Sequence, residues 1–174
     1  MKIYIARHGE VNSNLYKTYN NENEDLNETG ILQAEQLRKK IQNINYDIII
    51  SSPLVRAKHT ASIINSKGKK IIFDKRLEER NPGNLNGKPL TVTDREKYWD
   101  YYSTIHYGTS ETIQNLFIRV SDFLDNLKCQ DYKTVLIVAH SGVSKAFDFY
   151  FHGIKDGKFL DRGLKNCEIK EYEL

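Results

Sequence analysis

The chain is poor in cysteine, in proline and in long apolar runs, and each shortage excludes something. Only two of its 174 residues are cysteines, Cys129 and Cys167, far apart and outside any Cys-x-x-Cys or Cys/His spacing. That excludes a disulfide framework or a zinc ribbon and points to a reducing, cytoplasmic setting. No apolar stretch nears the roughly 18 residues of a membrane span. The first one, Ile3-Tyr4-Ile5-Ala6, is cut off by Arg7, well short of a signal-peptide core. There is no Pro/Gly-rich linker, repeat or low-complexity tract, so the expectation is one domain over residues 1–174. A chain of this size buries about 70% of its unfolded surface and needs no covalent or metal staple.

An excess of charge is missing as well. Lys+Arg number 26 and Asp+Glu 23, a formal net charge of +3. The basic residues are scattered, and the one short cluster, Lys67-Gly68-Lys69-Lys70, reads as a solvated turn. Neither a nucleic acid nor a membrane is expected as partner, and the oligomeric state is left open.

What is present alternates between short β-favouring runs and amphipathic helices. Strands are expected at Lys2 to Ala6, Asp47 to Ile50, Lys70 to Phe73, Thr134 to Ala139 and Glu168 to Tyr172. Helices are expected at Ile31 to Asn43 behind a Thr29 cap, Pro53 to Asn65, Thr91 to Ser103, Glu111 to Leu127 and from Ser141 to about Phe151. Asn12 to Asn27 reads as a long loop, and Asn81 to Pro89 as an irregular one. Strands separated by helices imply an α/β fold, a three-layer αβα sandwich with a mostly parallel sheet covered on both faces.

In such a sheet the ligand crevice lies beyond the carboxyl ends of the strands. Three expected strand ends carry the chemistry: Arg7-His8-Gly9-Glu10, Ser51-Ser52-Pro53 with Arg56 one helical turn on, and Ala139-His140-Ser141-Gly142. Two arginines, two histidines and the N–H groups of helix N-termini would meet there, a combination suited to a phosphoryl group. Arginine's fork matches phosphate oxygens bidentately and keeps its charge, and a histidine facing the phosphorus can attack it.

At this point the sequence resembles the histidine phosphatase (phosphoglycerate mutase-like) superfamily, and the resemblance spans nearly the whole chain. Arg7-His8-Gly9-Glu10 is similar to the family's opening motif, Asn14 to its phosphate-contacting Asn, and Leu26-Asn27-Glu28-Thr29-Gly30 with Gln33-Ala34 to its first-helix signature. Ser52-Pro53-Leu54-Val55-Arg56-Ala57 resembles the second-arginine motif. Leu77-Glu78-Glu79-Arg80, followed by Gly83, Leu85 and Gly87, resembles the loop that carries the acid, with Glu79 the match by spacing. Val138-Ala139-His140-Ser141-Gly142 resembles the second-histidine motif, with Ser141 where many members have glycine.

The resemblance implies a metal-independent phosphatase of small phosphomonoesters, of the histidine acid phosphatase type, that needs no cofactor. His8 would be the nucleophile, giving a phosphohistidine that water hydrolyses. Arg7, Arg56 and a cationic His140 would hold the phosphoryl oxygens, Asn14 would add a donor, the Gly9 carbonyl would fix the His8 tautomer, and Glu79 would be the acid and then the base. Gly9, lacking a side chain, would let the backbone come close to the imidazole. Arg80 and Ser141 join the expected substrate contacts, and Arg80, Lys88 and Arg95 favour a further acidic group. Residues 81–112 would cover the pocket, with the aromatics Tyr98, Trp99, Tyr101, Tyr102 and Tyr107 facing either substrate or core. His59 and His152 read as structural, Glu10 as a hydrogen-bonding neighbour of the site, and both cysteines as small apolar fillers.

Two other readings stand beside it. A 2,3-bisphosphoglycerate-dependent mutase keeps Arg-His-Tyr-Gly after its acid and a lysine further on; here Pro82 takes the tyrosine's place and Leu90 the lysine's, and the chain stops soon after its last strand. A catalytically weak phospholigand- or protein-binding module usually loses a histidine or the acid, and here all are present.

Overall fold

Hydrophobic alternation along the strands decides where each one sits. The computed structural model describes residues 1–174. Its strands are β1 (Lys2–Arg7), β2 (Ile48–Ser51), β3 (Ile71–Phe73), β4 (Thr134–Ala139) and β5 (Ile169–Glu173). They form one sheet in the order β3-β2-β4-β1-β5. The first four are parallel and β5 pairs antiparallel to β1 at one edge. Residues of one parity, Ile3, Ile5, Ile48, Ile50, Val135, Ile137 and Ala139, face one core. The other parity, Ala6, Ile49, Leu136 and Val138, faces a second. A strand buried on both faces has no polar side to show, which is why β2 and β4 read as unbroken apolar runs.

Helices complete the two outer layers. α2 (Glu28–Lys40) and α3 (Val55–Ile64) supply Ala34, Leu37, Ala57, Ala61 and Ile64 to the smaller core. α5 (Ile113–Lys128) and α6 (Ser141–His152) cover the opposite face, and the stripe Ile113, Leu116, Phe117, Val120, Phe123, Leu124 and Leu127 is buried throughout, as its 3.6-residue spacing predicts. The three-layer α/β sandwich expected from the sequence is the observed fold. No helix is long and apolar enough to cross a membrane.

The departures are local. α2 starts three residues earlier than expected, because Asn27 is its cap: Asn27 Oδ1 accepts from the Gly30 N–H at 2.8 Å, and Thr29 lies inside the first turn. Within the expected 12–27 loop a single turn, α1 (Asn12–Leu15), carries Asn14. The helix expected over Thr91 to Ser103 shrinks to a 3₁₀ turn, Leu90–Val92, and one turn of α4 (Arg95–Tyr98). Tertiary bonds replace the helical ones there. Thr93 is extended, with its hydroxyl 2.6 Å from the Tyr19 hydroxyl. The Trp99 carbonyl accepts from Phe159 N–H at 3.0 Å, and the Tyr101 N–H donates to the Gly157 carbonyl at 2.8 Å. Cys129 is exposed rather than a filler; Cys167 is half-buried, and burial pushes its thiol up to about 12.

Candidate active site

Parallel register does most of the assembly. Arg7 on β1 is the partner of Ala139 on β4, so the residue after each strand, His8 and His140, must emerge side by side. The His8 N–H donates to the Ala139 carbonyl at 3.0 Å. The imidazole centroids are 5.1 Å apart at an interplanar angle of 59°. β2 lies on the other side of β4, and the Ser52 hydroxyl at its end reaches His140 Nε2 at 2.8 Å. β1 and β4 lead into α2 and α6 on opposite faces of the sheet, so this is the switch point at which such folds open a crevice.

His8 is held in one tautomer. Its Nδ1 lies 2.6 Å from the Gly9 carbonyl oxygen, which can only accept, so Nδ1 carries the proton and Nε2 the lone pair. Burial, with the Arg56 and Arg7 cations beside it, holds His8 well below the ordinary imidazole value. The same causes, in the same order of burial and then Arg56, act on His140 and hold it neutral too, against the cationic form expected from the sequence. A group this deep, 0% exposed for His140, has no water to solvate a charge and faces cations on its open side.

Arg56, 1% exposed, rises from the first turn of α3 and donates through Nη1 to the Asn21 carbonyl at 2.7 Å; Arg7 Nη1 donates to the Leu164 carbonyl at 3.0 Å. Both keep a buried Nε with no partner, and burial lowers both from the ordinary guanidinium value, although Glu79 opposes that shift. Asn14 Oδ1 accepts from Val11 N–H at 3.3 Å and from Asn166 Nδ2 at 3.1 Å, leaving its own amide nitrogen free of protein partners.

Gly9 meets a second need besides the expected close approach to the imidazole, which its carbonyl makes at 2.6 Å. A Cβ there would lie 2.3 Å from the Gly30 carbonyl oxygen, and one on Gly30 would lie 2.1 Å from the Glu10 carbonyl oxygen. The two glycines let the start of α2 press directly on the histidine loop, which Gln33 Oε1 fixes by accepting from Glu10 N–H at 2.9 Å. Thr60 on α3 adds a second tie, its hydroxyl accepting from Gly9 N–H at 3.1 Å. Glu10 accepts from Asn27 Nδ2 at 3.0 Å and stays outside the cavity.

Glu79 reaches the site from the turn after β3. Its Oε1 accepts from the Gly142 N–H at 3.0 Å and the Arg80 N–H at 2.8 Å. The Gly142 N–H at the start of α6 is therefore spent on Glu79 and is not a free anion donor. A side chain at 142 would collide, since a Cβ would stand 2.1 Å from Glu79 Oε1. Arg119 on α5 fastens the turn: it donates to the carbonyls of Arg76 (2.7 Å), Glu78 (2.8 Å) and Glu79 (3.1 Å) and grips Glu111 through Nε at 2.7 Å and Nη2 at 2.9 Å.

The cavity these groups enclose is about 570 Å³. Arg7, Asn14, Arg56, Glu79, Arg80 and Ser141 line it, with Lys145, Arg95 and Asn166. His8 and His140 lie beneath this lining, almost fully buried. Of the aromatics, Tyr98 and Trp99 line the cavity while packing into the larger core; Tyr101, Tyr102 and Tyr107 do not reach it. Lys88 does not reach it either. Arg80 is buried over the Tyr98 ring, 3.6 Å from its centroid, and donates to the Glu111 and Tyr98 carbonyls. His59 pairs with Asp25 and His152 with Asp148, as structural histidines do. The site neighbours that the sequence did not signal are Thr60, Arg119, Lys145 and Asn166, none of which sits in a recognisable motif.

A histidine fixed as its Nδ1–H tautomer, a second histidine, two cavity arginines and a carboxylate thus meet at the end of a parallel sheet in an α/β protein. The chain belongs to the histidine phosphatase superfamily (branch 1), whose family model matches residues 3–174. It is 33% identical over 134 residues to fructose-2,6-bisphosphatase TIGAR of Xenopus tropicalis, a match that takes in 72% of this chain but only 49% of that protein. It is 32% identical over 177 residues to the uncharacterized phosphatase PhoE of Bacillus subtilis (strain 168), covering 97% of this chain and 89% of the relative. Among solved structures, a mycobacterial glucosyl-3-phosphoglycerate phosphatase complexed with VO3 shares the fold at a TM-score of 0.86 and 20% identity, over 98% of this chain and 91% of that one.

Proposed function

We propose that the protein is a metal-independent phosphatase acting on small phosphomonoesters through a phosphohistidine. The observation that carries the reading is the convergence of His8, fixed as the Nδ1–H tautomer and held neutral, with Arg7, Arg56, His140 and Glu79 at one end of the sheet. His8 Nε2 attacks phosphorus and the P–O ester bond breaks, while Glu79 gives its proton to the leaving oxygen. Glu79 then takes a proton from water, the resulting oxygen attacks phosphorus, and the P–N bond breaks to return neutral His8 and free phosphate. Arg7 and Arg56 carry the charge that spreads over the three non-bridging oxygens, and Asn14 and Ser141 add neutral donors. The phosphoryl dianion supplies the negative neighbour that His140 otherwise lacks and draws a proton onto it, which restores the cationic role expected for that residue. Residues 81–112 form the substrate-covering part of a single domain, and the enzyme works in the cytoplasm.

Labelling decides the nucleophile. Wild-type protein given a phosphomonoester labelled in phosphorus and quenched in alkali should retain label on the chain, and His8→Ala should retain none and lose at least a thousandfold in rate on p-nitrophenyl phosphate. Equal rates for the two proteins overturn the assignment. The mutase reading is kept alive by Arg80, but Pro82 and Leu90 line the cavity where the resemblance puts a tyrosine and a lysine in mutases. Incubation of 3-phosphoglycerate with trace 2,3-bisphosphoglycerate should release free phosphate faster than it makes 2-phosphoglycerate.

A further inference from the structure

Five cations line the cavity, Arg7, Arg56, Arg80, Arg95 and Lys145, and the phosphoryl group of the proposed reaction accounts for the first two. Arg80 is committed to the Glu111 and Tyr98 carbonyls, and Arg95 lies over the Tyr19 and Tyr98 rings and donates to the Tyr19 hydroxyl at 3.1 Å. Lys145 is different. It stands four residues after Ser141 on the same face of α6, about one 5.4 Å turn from the point where Glu79 meets the helix. Its side chain is 3% exposed, its ammonium lies 4.9 Å from the Trp99 ring centroid, and it donates to the Phe159 carbonyl at 2.6 Å and to the Leu160 carbonyl. Those two bonds spend two of its three N–H groups. Its ion-pair needs are unmet, because carbonyl oxygens bring no net charge to balance a buried ammonium.

We propose that Lys145 is a specificity-determining residue of this cavity, receiving a second anionic oxygen group of the substrate beside the phosphoryl group. The inference rests on the phosphatase reading and adds to it the kind of ester preferred: one with a carboxylate or a second phosphate a few atoms from the reacting phosphorus. Burial pulls Lys145 down to about 7, helped by Arg95 and Arg7 and opposed by Glu79 and Asp161. The ammonium is therefore lost as pH rises through neutrality, and with it the preference for the second anion.

Two matched pairs of probes read this out. 3-Phosphoglycerate and glycerol 3-phosphate differ by a carboxylate; fructose 1,6-bisphosphate and fructose 6-phosphate differ by a phosphate. In wild type, kcat/KM for the anionic member of one pair should exceed its partner by about tenfold or more, the size of a charge-assisted contact, and the pair that responds identifies the group. Lys145→Met should abolish that ratio. Lys145→Arg should keep it and remove its decline between about pH 6 and about pH 8, since a guanidinium does not titrate there. A ratio that survives Lys145→Met while only the melting temperature falls would mean that the lysine merely ties down residues 159–160, and the proposal would be overturned. Should that variant not fold, Lys145→Gln, which keeps a donor for the 159–160 carbonyls without the charge, decides instead: a ratio lost supports the proposal and a ratio retained refutes it. Turnover of p-nitrophenyl phosphate that is equal in wild type and His8→Ala would instead indict the phosphatase reading itself.

Discussion

The floor and the far wall of the cavity are built by different physics. The floor hangs from the sheet: Arg7 ends β1, His8, Ser52 and His140 directly follow strands whose relative positions are fixed by parallel register, and Arg56 is placed by the first turn of a helix packed on that sheet. The far wall, from the turn that carries Glu79 to the start of α5, has only 3₁₀ turns and one turn of α-helix. It holds its shape through side chains that satisfy distant carbonyls, Arg119 on residues 76, 78 and 79 and Arg80 on Glu111 and Tyr98. It is also zipped to the loop after α1, where Tyr19 N–H donates to the Lys88 carbonyl at 2.9 Å and Leu90 N–H to the Lys17 carbonyl at 2.8 Å. The two regions should therefore fail differently. On the proposed mechanism, a lesion in the floor removes charge from the reacting group and leaves the fold in place, whereas a lesion in the wall displaces Glu79 and costs stability as well.

The largest effect is expected on the floor. Arg56→Lys keeps a cation but loses the two-pronged fork, so kcat/KM on p-nitrophenyl phosphate should fall about a hundredfold or more. Circular dichroism and melting should stay close to wild type, because the backbone of α3 does not depend on the guanidinium. A melting temperature that collapses in step with activity would break the distinction between the regions.

Arg119→Met tests the wall. It strips three carbonyls and the Glu111 carboxylate of their shared donor. The side chain is partly exposed, so the expected cost is about 2 kcal/mol, read as a melting shift of roughly 4–8 °C. The kcat should drop about ten- to a hundredfold through misplacement of Glu79 with a smaller change in KM, and Arg119→Lys should recover part of it. Stability lost with kcat intact would show that Glu79 is placed by the Gly142 and Arg80 N–H groups alone.

The same contrast explains what could be read from the residues. Arg7-His8-Gly9, Arg56 and His140 were legible because each follows a β-branched or apolar run whose end is visible, and parallel pairing carries such ends to one edge. Glu79 was legible only by family resemblance, since nothing about a Glu in an irregular loop says where it points. Arg119 lies 40 residues from the carbonyl of Glu79 that it holds, and Asn166 lies 158 residues from the His8 carbonyl to which it donates at 3.1 Å. Such ties have no periodicity. Lys145 was invisible for another reason: in the sequence it is one more polar residue in an amphipathic helix, and only the 159–160 turn folding over it makes it a buried cation. The short α4 has the same cause, since Thr93, Trp99 and Tyr101 exchange helical bonds for partners elsewhere in the chain.

The smallest effect sharpens the comparison through pH. His8 and His140 are held neutral on the floor by burial and by Arg56 and Arg7, so their native values lie well below the value of about 6.5 that they recover on unfolding. Between those two values the unfolded chain binds protons that the native one refuses, so the contribution of the two histidines to stability must rise with pH there and is complete above about pH 7. The slope is about 1.4 kcal/mol per pH unit for each histidine that is fully protonated only when unfolded. Lowering the pH from about 7 to about 5.5 should thus lower the melting temperature of the wild type. His140→Asn should weaken that dependence by about half, and inorganic phosphate should weaken it further by giving His140 an anion and a reason to hold its proton. The other three histidines, His59, His106 and His152, lie on or near the surface, two of them beside carboxylates. A melting temperature that is flat across this window would mean that the floor accepts protons in the native state, and the neutral, attack-ready His8 would have to be given up.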